Sequence, residues 1–219
     1  MKELIAVYNR FAETYHENRG IFDMSQIFNE FYTIINIDKG RLLDLGCGAG
    51  EPIPAMFIEK GWKVTGVDFS PKMIALANFY QPKVMTILSD ISEIDFENDQ
   101  FEAITAVYSL FHLEKEKQSP LFEKIYHWLK CGGKALFTYA DQHYTGAESF
   151  SGYKEFMGEK LYYSHFTPPE LRNILQNIGF EIIREDYREI GGEIFLWMTV
   201  GKPRKSRQRP DCAPRDKGT

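Results

Sequence analysis

The stretch Leu42–Gly50, LLDLGCGAG, runs from apolar residues into three glycines at alternate positions, 46, 48 and 50, with a patterned helix after it. Glycine has no Cβ, so a strand ending in such a turn lets the backbone approach a ligand closely. The spacing is G-x-G-x-G rather than the dinucleotide G-x-G-x-x-G. An acid, Asp44, stands two positions before the first glycine. Cys47 reads as a small spacer within the turn, because no histidine lies near it in sequence to activate its thiol.

Working outward, strands and helices alternate. Strands are expected at Arg41–Leu45, Trp62–Asp68, Lys83–Leu88, Phe101–Tyr108 and Lys134–Tyr139, mostly as continuous apolar runs suited to a sheet covered on both faces. Ser70-Pro71, Ser119-Pro120 and Thr167-Pro168 each set a hydroxyl N-cap before proline and mark three helix starts. Glu170 completes a capping box with Thr167, and Gly179 ends that helix. Two helices, over 2–17 and 23–36, precede this core, the first with Leu4, Val7, Phe11 and Tyr15 in one apolar stripe. Two strands, Phe180–Tyr187 and Glu193–Val200, close it. This order predicts a doubly wound α/β sheet with helices on both faces and a ligand crevice at the C-terminal strand ends.

At 219 residues and 43% hydrophobic content, one domain with additions is expected: a helical cap over 1–39, a core over 40–200, and an insertion over 141–166. The formal charge of −5 is uneven. Residues 202–219 hold seven Lys/Arg against two Asp, which leaves 19 basic and 29 acidic residues before them. An acidic body argues against nucleic-acid binding. The 201–219 segment, without large apolar residues, reads as a disordered basic tail. No apolar run is long enough to span a bilayer, and the N-terminus lacks the apolar segment of a signal peptide. Three cysteines with no paired metal-type spacing fit a reducing cytoplasm and give no metal site. Monomer and homodimer both stay open.

Asp68 ends the second strand, where a carboxylate can accept two hydrogen bonds from a ribose diol. Asp90 follows the third strand and can accept from an adenine amino group, with Ile91 packing on the ring. Asp44 is expected to orient the glycine turn and to reach the cationic end of the ligand. The fourth strand runs out through Tyr108 into His112, a candidate general base facing the crevice. His143 and His165 are weaker candidates.

LLDLGCGAG resembles motif I of the class I S-adenosylmethionine (AdoMet) methyltransferases. VTGVDFSP is similar to their ribose-acid segment, SDI to the adenine segment, and FEAITAVYSLFHL and WLKCGGKALFTY to the stretches around the fourth and fifth strands. YNRFAETYHE is similar to the Y-x-x-x-A-x-x-Y opening of many small-molecule methyltransferases, including the ubiquinone and menaquinone biosynthesis group. The resemblance implies a Rossmann-like seven-stranded sheet of order 3-2-1-4-5-7-6, the seventh strand antiparallel. It implies that Tyr8, Tyr15, Asp44, Gly46, Cys47, Gly48, Asp68, Phe69, Met73, Asp90, Ile91 and Tyr108 surround AdoMet, with the first helix closing over it. The fourth strand lacks the N/D-P-P-Y signature of amino-methylating types, which leaves the acceptor atom open.

The implied reaction is methyl transfer to a small-molecule acceptor with release of S-adenosylhomocysteine. The sulfonium is already activated, so alignment and exclusion of water are the enzyme's main tasks. A nicotinamide-dependent oxidoreductase and a non-catalytic AdoMet-binding module are the alternatives. The 141–166 insertion is too long for an ordinary βα connection. Its aromatics, Tyr144, Phe150, Tyr153, Phe156, Tyr162, Tyr163 and Phe166, are expected to line the acceptor side.

Overall fold

A computed structural model describes residues 2–14, 20 and 23–204. Nine strands form in chain order: β1 Arg41–Leu45, β2 Lys63–Asp68, β3 Met85–Leu88, β4 Phe101–Ala106, β5 Leu129–Tyr139, β6 Phe150–Phe156, β7 Glu159–His165, β8 Glu181–Ile190 and β9 Glu193–Gly201. The helices are α1 Lys2–Glu13, α2 Ser25–Ile35, α3 Ile53–Glu59, α4 Pro71–Tyr80, α5 Lys115–Trp128, the single turn α6 Gln142–Thr145, and α7 Pro168–Ile178. A 3-10 turn occupies Leu110–His112.

Seven strands make one sheet of order β3-β2-β1-β4-β5-β9-β8. Strands β1 to β5 are parallel, and β9 inserts antiparallel between β5 and β8. Leaving out the separate β6–β7 hairpin, this is the expected 3-2-1-4-5-7-6 order. Alternating side chains divide the core in two. Along β9, Leu196, Met198 and Val200 join Phe137, Ile104 and Trp128 on one face, whereas Phe195 and Trp197 join Phe28, Phe31, Phe57 and Leu136 on the other. Helices are needed on both sides to cover these two apolar faces.

The caps at Ser70 and Thr167 form as expected. Ser70 Oγ accepts from Met73 N at 3.2 Å, and Thr167 and Glu170 make a reciprocal capping box. Ser119-Pro120 does not start a helix: α5 begins at Lys115, with Pro120 inside it. Pro120 forfeits one intrahelical bond there. In return the fully buried Gln118 amide donates to Leu113 O at 3.1 Å and Ser164 O at 3.0 Å, and its carbonyl accepts from the Tyr139 hydroxyl. A helix beginning at Pro120 would leave that polar group outside the helical register that buries it.

The first helix ends at Glu13 rather than residue 17, and Tyr15 lies outside the described residues. The tail boundary also moves. Gly201 is buried in β9, and Lys202 is held by its backbone to Gly132 and Gly133 and by its ammonium to Asp99 and the Leu129 carbonyl. Residues 205–219 of the expected tail lie outside the described residues. Among the described residues no helix is long and apolar enough to cross a membrane, and no cluster of His, Cys, Asp and Glu could hold a metal ion.

Candidate functional site

The glycine turn sits at the C-terminal end of β1 and is held from β2. Gly46 N and Cys47 N both donate to Val67 O, at 2.8 and 3.0 Å. Gly48 N donates to Asp68 Oδ2 at 2.9 Å, and Ser70 N donates to Asp68 Oδ1 at 2.8 Å. Asp68, not Asp44, therefore orients the turn and the start of α4. The glycines serve different ends. A Cβ on Gly46 (φ +84°) would come within 2.6 Å of Ser109 Cβ, so this glycine lets the chain after β4 pass close by. A Cβ on Gly48 (φ +51°) would meet nothing within 4 Å and would project into open space above the turn.

Cys47 is buried, and its Sγ occupies room that only a glycine at position 66 leaves. Burial pushes its thiol well up, so it stays protonated and inert.

Two carboxylates lie buried side by side at these strand ends. Asp44 accepts from Thr105 Oγ1 at 2.6 Å, and burial, reinforced by the charge of Asp68, pushes it from 3.8 up to about 7. Burial also raises Asp68, against the opposing pull of its backbone donors. A pair of desolvated acids held by neutral donors is a fitting seat for a cationic ligand.

Helix α1 covers this crevice. Tyr8 meets Phe69 edge to face at 5.3 Å, Asn9 Oδ1 accepts from Ser70 Oγ at 2.7 Å, and Glu13 pairs with Lys72. Met73 is buried between Ala12 of α1 and Ala49 of the turn. At the β3 end, half-buried Asp90 accepts from Ser92 N and Ser92 Oγ, both at 2.9 Å. Ile91 is buried in the larger core beside Val67 and Leu45.

His112 ends the 3-10 turn after β4 and is buried. Its Nδ1 lies 2.8 Å from the Tyr162 carbonyl, which can only accept, so Nδ1 carries the proton. Its Nε2 then accepts from the Tyr8 hydroxyl at 3.0 Å. Burial lowers the imidazole to about 4, which keeps it neutral. Tyr108, at φ +56°, is fixed by its N–H to Thr138 Oγ1 at 2.6 Å.

Tyr8, Tyr108 and His112 face an open cleft of about 160 Å³. Phe156 and Tyr163 from the β6–β7 hairpin complete one side, and Phe195 and Glu193 from β9 the other. The hairpin is tied to α1 by a bidentate Arg10–Glu159 pair at 2.5 and 2.6 Å and by Phe11 against Phe156. Other aromatics of the insertion lie elsewhere. Tyr153 is 60% exposed, Phe150 stacks on His165, and Phe166 packs against the opposite core. His165 bonds Thr145 and the Phe166 carbonyl, and His143 pairs with Asp141.

Asn9, Glu193 and Phe195 were not legible as site residues. Strand β9 runs antiparallel, so its first residues arrive at the same sheet edge as the last residues of β1, β2 and β4. An acid opening the otherwise apolar run EIFLWMTV was the available signal.

A family model described as a methyltransferase domain matches residues 12–185. The chain belongs to that family. It is 31% identical over 137 residues to a putative methyltransferase of Bacillus subtilis, covering 60% of this chain and 54% of that protein. It is 25% identical over 189 residues to the phosphoethanolamine N-methyltransferase of Plasmodium falciparum, covering 84% of this chain and 69% of that one. The chain thus spans about half the length of the Bacillus relative. Among solved structures, an AdoMet-dependent methyltransferase from Methanosarcina mazei matches at TM-score 0.68 and 22% identity, over 80% of this chain and 98% of that one. The 1,6-didemethyltoxoflavin-N1-methyltransferase of Burkholderia thailandensis matches at TM-score 0.61 and 22% identity, over 92% and 89%. At these identities the likeness is one of fold.

Proposed function

We propose that this protein transfers the methyl group of AdoMet to a small organic acceptor seated in the aromatic cleft. The observation that carries the reading is the Tyr8–His112–Tyr162 hydrogen-bonded chain, which faces a cleft beside the glycine turn and its two buried acids. When bound, AdoMet supplies an activated methyl on sulfur. The backbone at Gly46, Cys47 and Gly48 would run along the cofactor, Asp68 would receive the ribose hydroxyls, and Asp90 the adenine amino group. Phe69, Met73 and Ile91 would flank the ring, Asp44 would face the cationic end, and Tyr8 and Tyr108 would border the path from the methyl to the acceptor.

His112 serves acceptors that must lose a proton. The acceptor's proton passes to the Tyr8 oxygen while the Tyr8 proton moves to His112 Nε2, leaving an imidazolium bonded to the Tyr162 carbonyl. Helix α1 and the hairpin exclude water, which strengthens alignment in the cleft. Nitrogen acceptors, as in the names of the Plasmodium and Burkholderia enzymes, suit this relay. The free thiols Cys47 and Cys131 fit a cytoplasmic setting. A metabolite-extract screen for S-adenosylhomocysteine, followed by mass identification of the methylated product, tests the proposal. Failure of every extract with AdoMet demonstrably bound would favour a non-catalytic module.

A further inference from the structure

Resting on the methyl-transfer reading, we infer that the acceptor carries a cationic nitrogen and that Glu193 is the residue that selects it. The side chains that face one another across the cleft are aromatic or aliphatic apart from His112 and Glu193. His112 is neutral and already bonded on both nitrogens, so Glu193 provides the only formal charge among the described lining residues. Its carboxylate is half-buried at the start of β9, beside a Tyr144 hydroxyl that in turn donates to Tyr163 at 3.0 Å.

Aromatic faces present negative potential, and a carboxylate among them draws a cation rather than a neutral or anionic group. The same corner already accommodates an ammonium. Lys154 Nζ lies 4.3 Å over the Tyr144 ring and donates to the Tyr144 carbonyl. Burial raises the Glu193 carboxyl, and Lys154 pulls it the other way through space, but Lys154 is outside the cleft lining and committed to Tyr144. An anionic acceptor would meet Glu193 with no lysine or arginine among the described lining residues to balance it. The phosphate implied by the Plasmodium relative's name therefore has no counterpart in this cleft. Glu193 acts on a part of the acceptor other than the reacting atom and takes no part in the proton relay.

The test compares two probes of one shape on the full-length protein loaded with S-adenosylhomocysteine. These are (2-hydroxyethyl)trimethylammonium and its neutral carbon isostere, 3,3-dimethylbutan-1-ol, measured by calorimetry or ligand-observed NMR. The cation should bind at least about tenfold more tightly than the isostere, and Glu193→Gln should reduce that preference to within about twofold. S-adenosylhomocysteine affinity of the variant should stay within about twofold of the parent, which reports an intact cofactor side. Equal binding of the two probes, binding of neither, or an unchanged preference in Glu193→Gln would overturn the assignment. Those results would leave methyl transfer standing, because it is tested by S-adenosylhomocysteine formation. Loss of S-adenosylhomocysteine binding in the parent would instead remove the methyl-transfer reading, and the probe comparison could still be read on the empty protein.

Discussion

The Tyr8 hydroxyl donates to His112 Nε2 at 3.0 Å across 104 residues of sequence, joining the N-terminal helix to the 3-10 turn that follows the fourth strand. His112→Ala removes the terminal acceptor of that chain. For an acceptor that must lose a proton, kcat should fall by about 10²- to 10⁴-fold. Tyr8→Phe should lower kcat in the same direction while keeping the ring against Phe69. AdoMet affinity should change by less than about threefold in both. Because burial holds His112 down to about 4, it is neutral above that value, and its contribution to rate should be lost only as pH falls toward it. Steady-state kinetics and a pH profile check both points, and an ionisation of the free enzyme near the ordinary histidine value that vanishes in His112→Ala would contradict them.

Asp44 should couple AdoMet binding to proton release. Its ligand-free value of about 7 lies above the ordinary 3.8, so between these values the folded chain holds a proton that the unfolded chain has lost. Ligand-free stability from this group should fall as pH rises through that window. A cation beside Asp44 favours the carboxylate, so AdoMet affinity should rise with pH up to about 7. Calorimetry near pH 6, in buffers of different ionisation enthalpy, should show proton release that Asp44→Asn abolishes. Proton uptake, or the same release in the variant, would refute the coupling.

Gly46 and Gly48 should separate packing from ligand contact. Gly46→Ala drives a Cβ to within 2.6 Å of Ser109 Cβ at a left-handed backbone position, so it should lower Tm by several degrees, the scale of about 1–2 kcal/mol. Gly48→Val fills open space above the turn and should weaken AdoMet binding more than it affects Tm. Thermal melts beside calorimetry measure both. Normal AdoMet binding by Gly48→Val would move the cofactor away from the turn.

Ending the chain at Gly201 should destabilise it, because Lys202 holds Asp99, the Leu129 carbonyl and the backbone of Gly132 and Gly133. A loss of about 1–2 kcal/mol is expected from these bonds. A chain ending at Arg204 keeps them and should melt close to the full-length protein. Equal melting of both truncations would show that Lys202 contributes nothing.

The alternation of strands and helices was legible because glycines, strand-end acids and hydroxyl-proline caps are local signals, whereas the order of the strands in the sheet came from the family resemblance alone. What failed was equally local in origin. Ser119-Pro120 looked like a helix start, but burial of Gln118 by partners distant in sequence decided where α5 begins. The β6–β7 hairpin was concealed in an aromatic-rich segment, its only punctuation being Met157-Gly158, both at positive φ. Asp44 and Asp68 were visible as strand-end acids, yet which of them ties the turn depended on Gly48 N meeting Asp68 across two strands. Glu193 was hidden because only the reversed direction of β9 brings it to the cleft.

The most direct test of methyl transfer is to incubate the purified protein with methyl-labelled AdoMet and an acceptor found by extract screening. S-adenosylhomocysteine and labelled product should appear in equal amounts. If Asp68 receives the ribose as proposed, Asp68→Ala removes two charge-assisted bonds of about 1.5–3 kcal/mol each and should bind AdoMet at least tenfold more weakly. Its turnover at subsaturating AdoMet should fall accordingly, with a modest drop in Tm because Asp68 also holds Gly48 and Ser70. No S-adenosylhomocysteine above a heat-inactivated control, from protein that binds AdoMet and every acceptor class offered, would contradict the assignment.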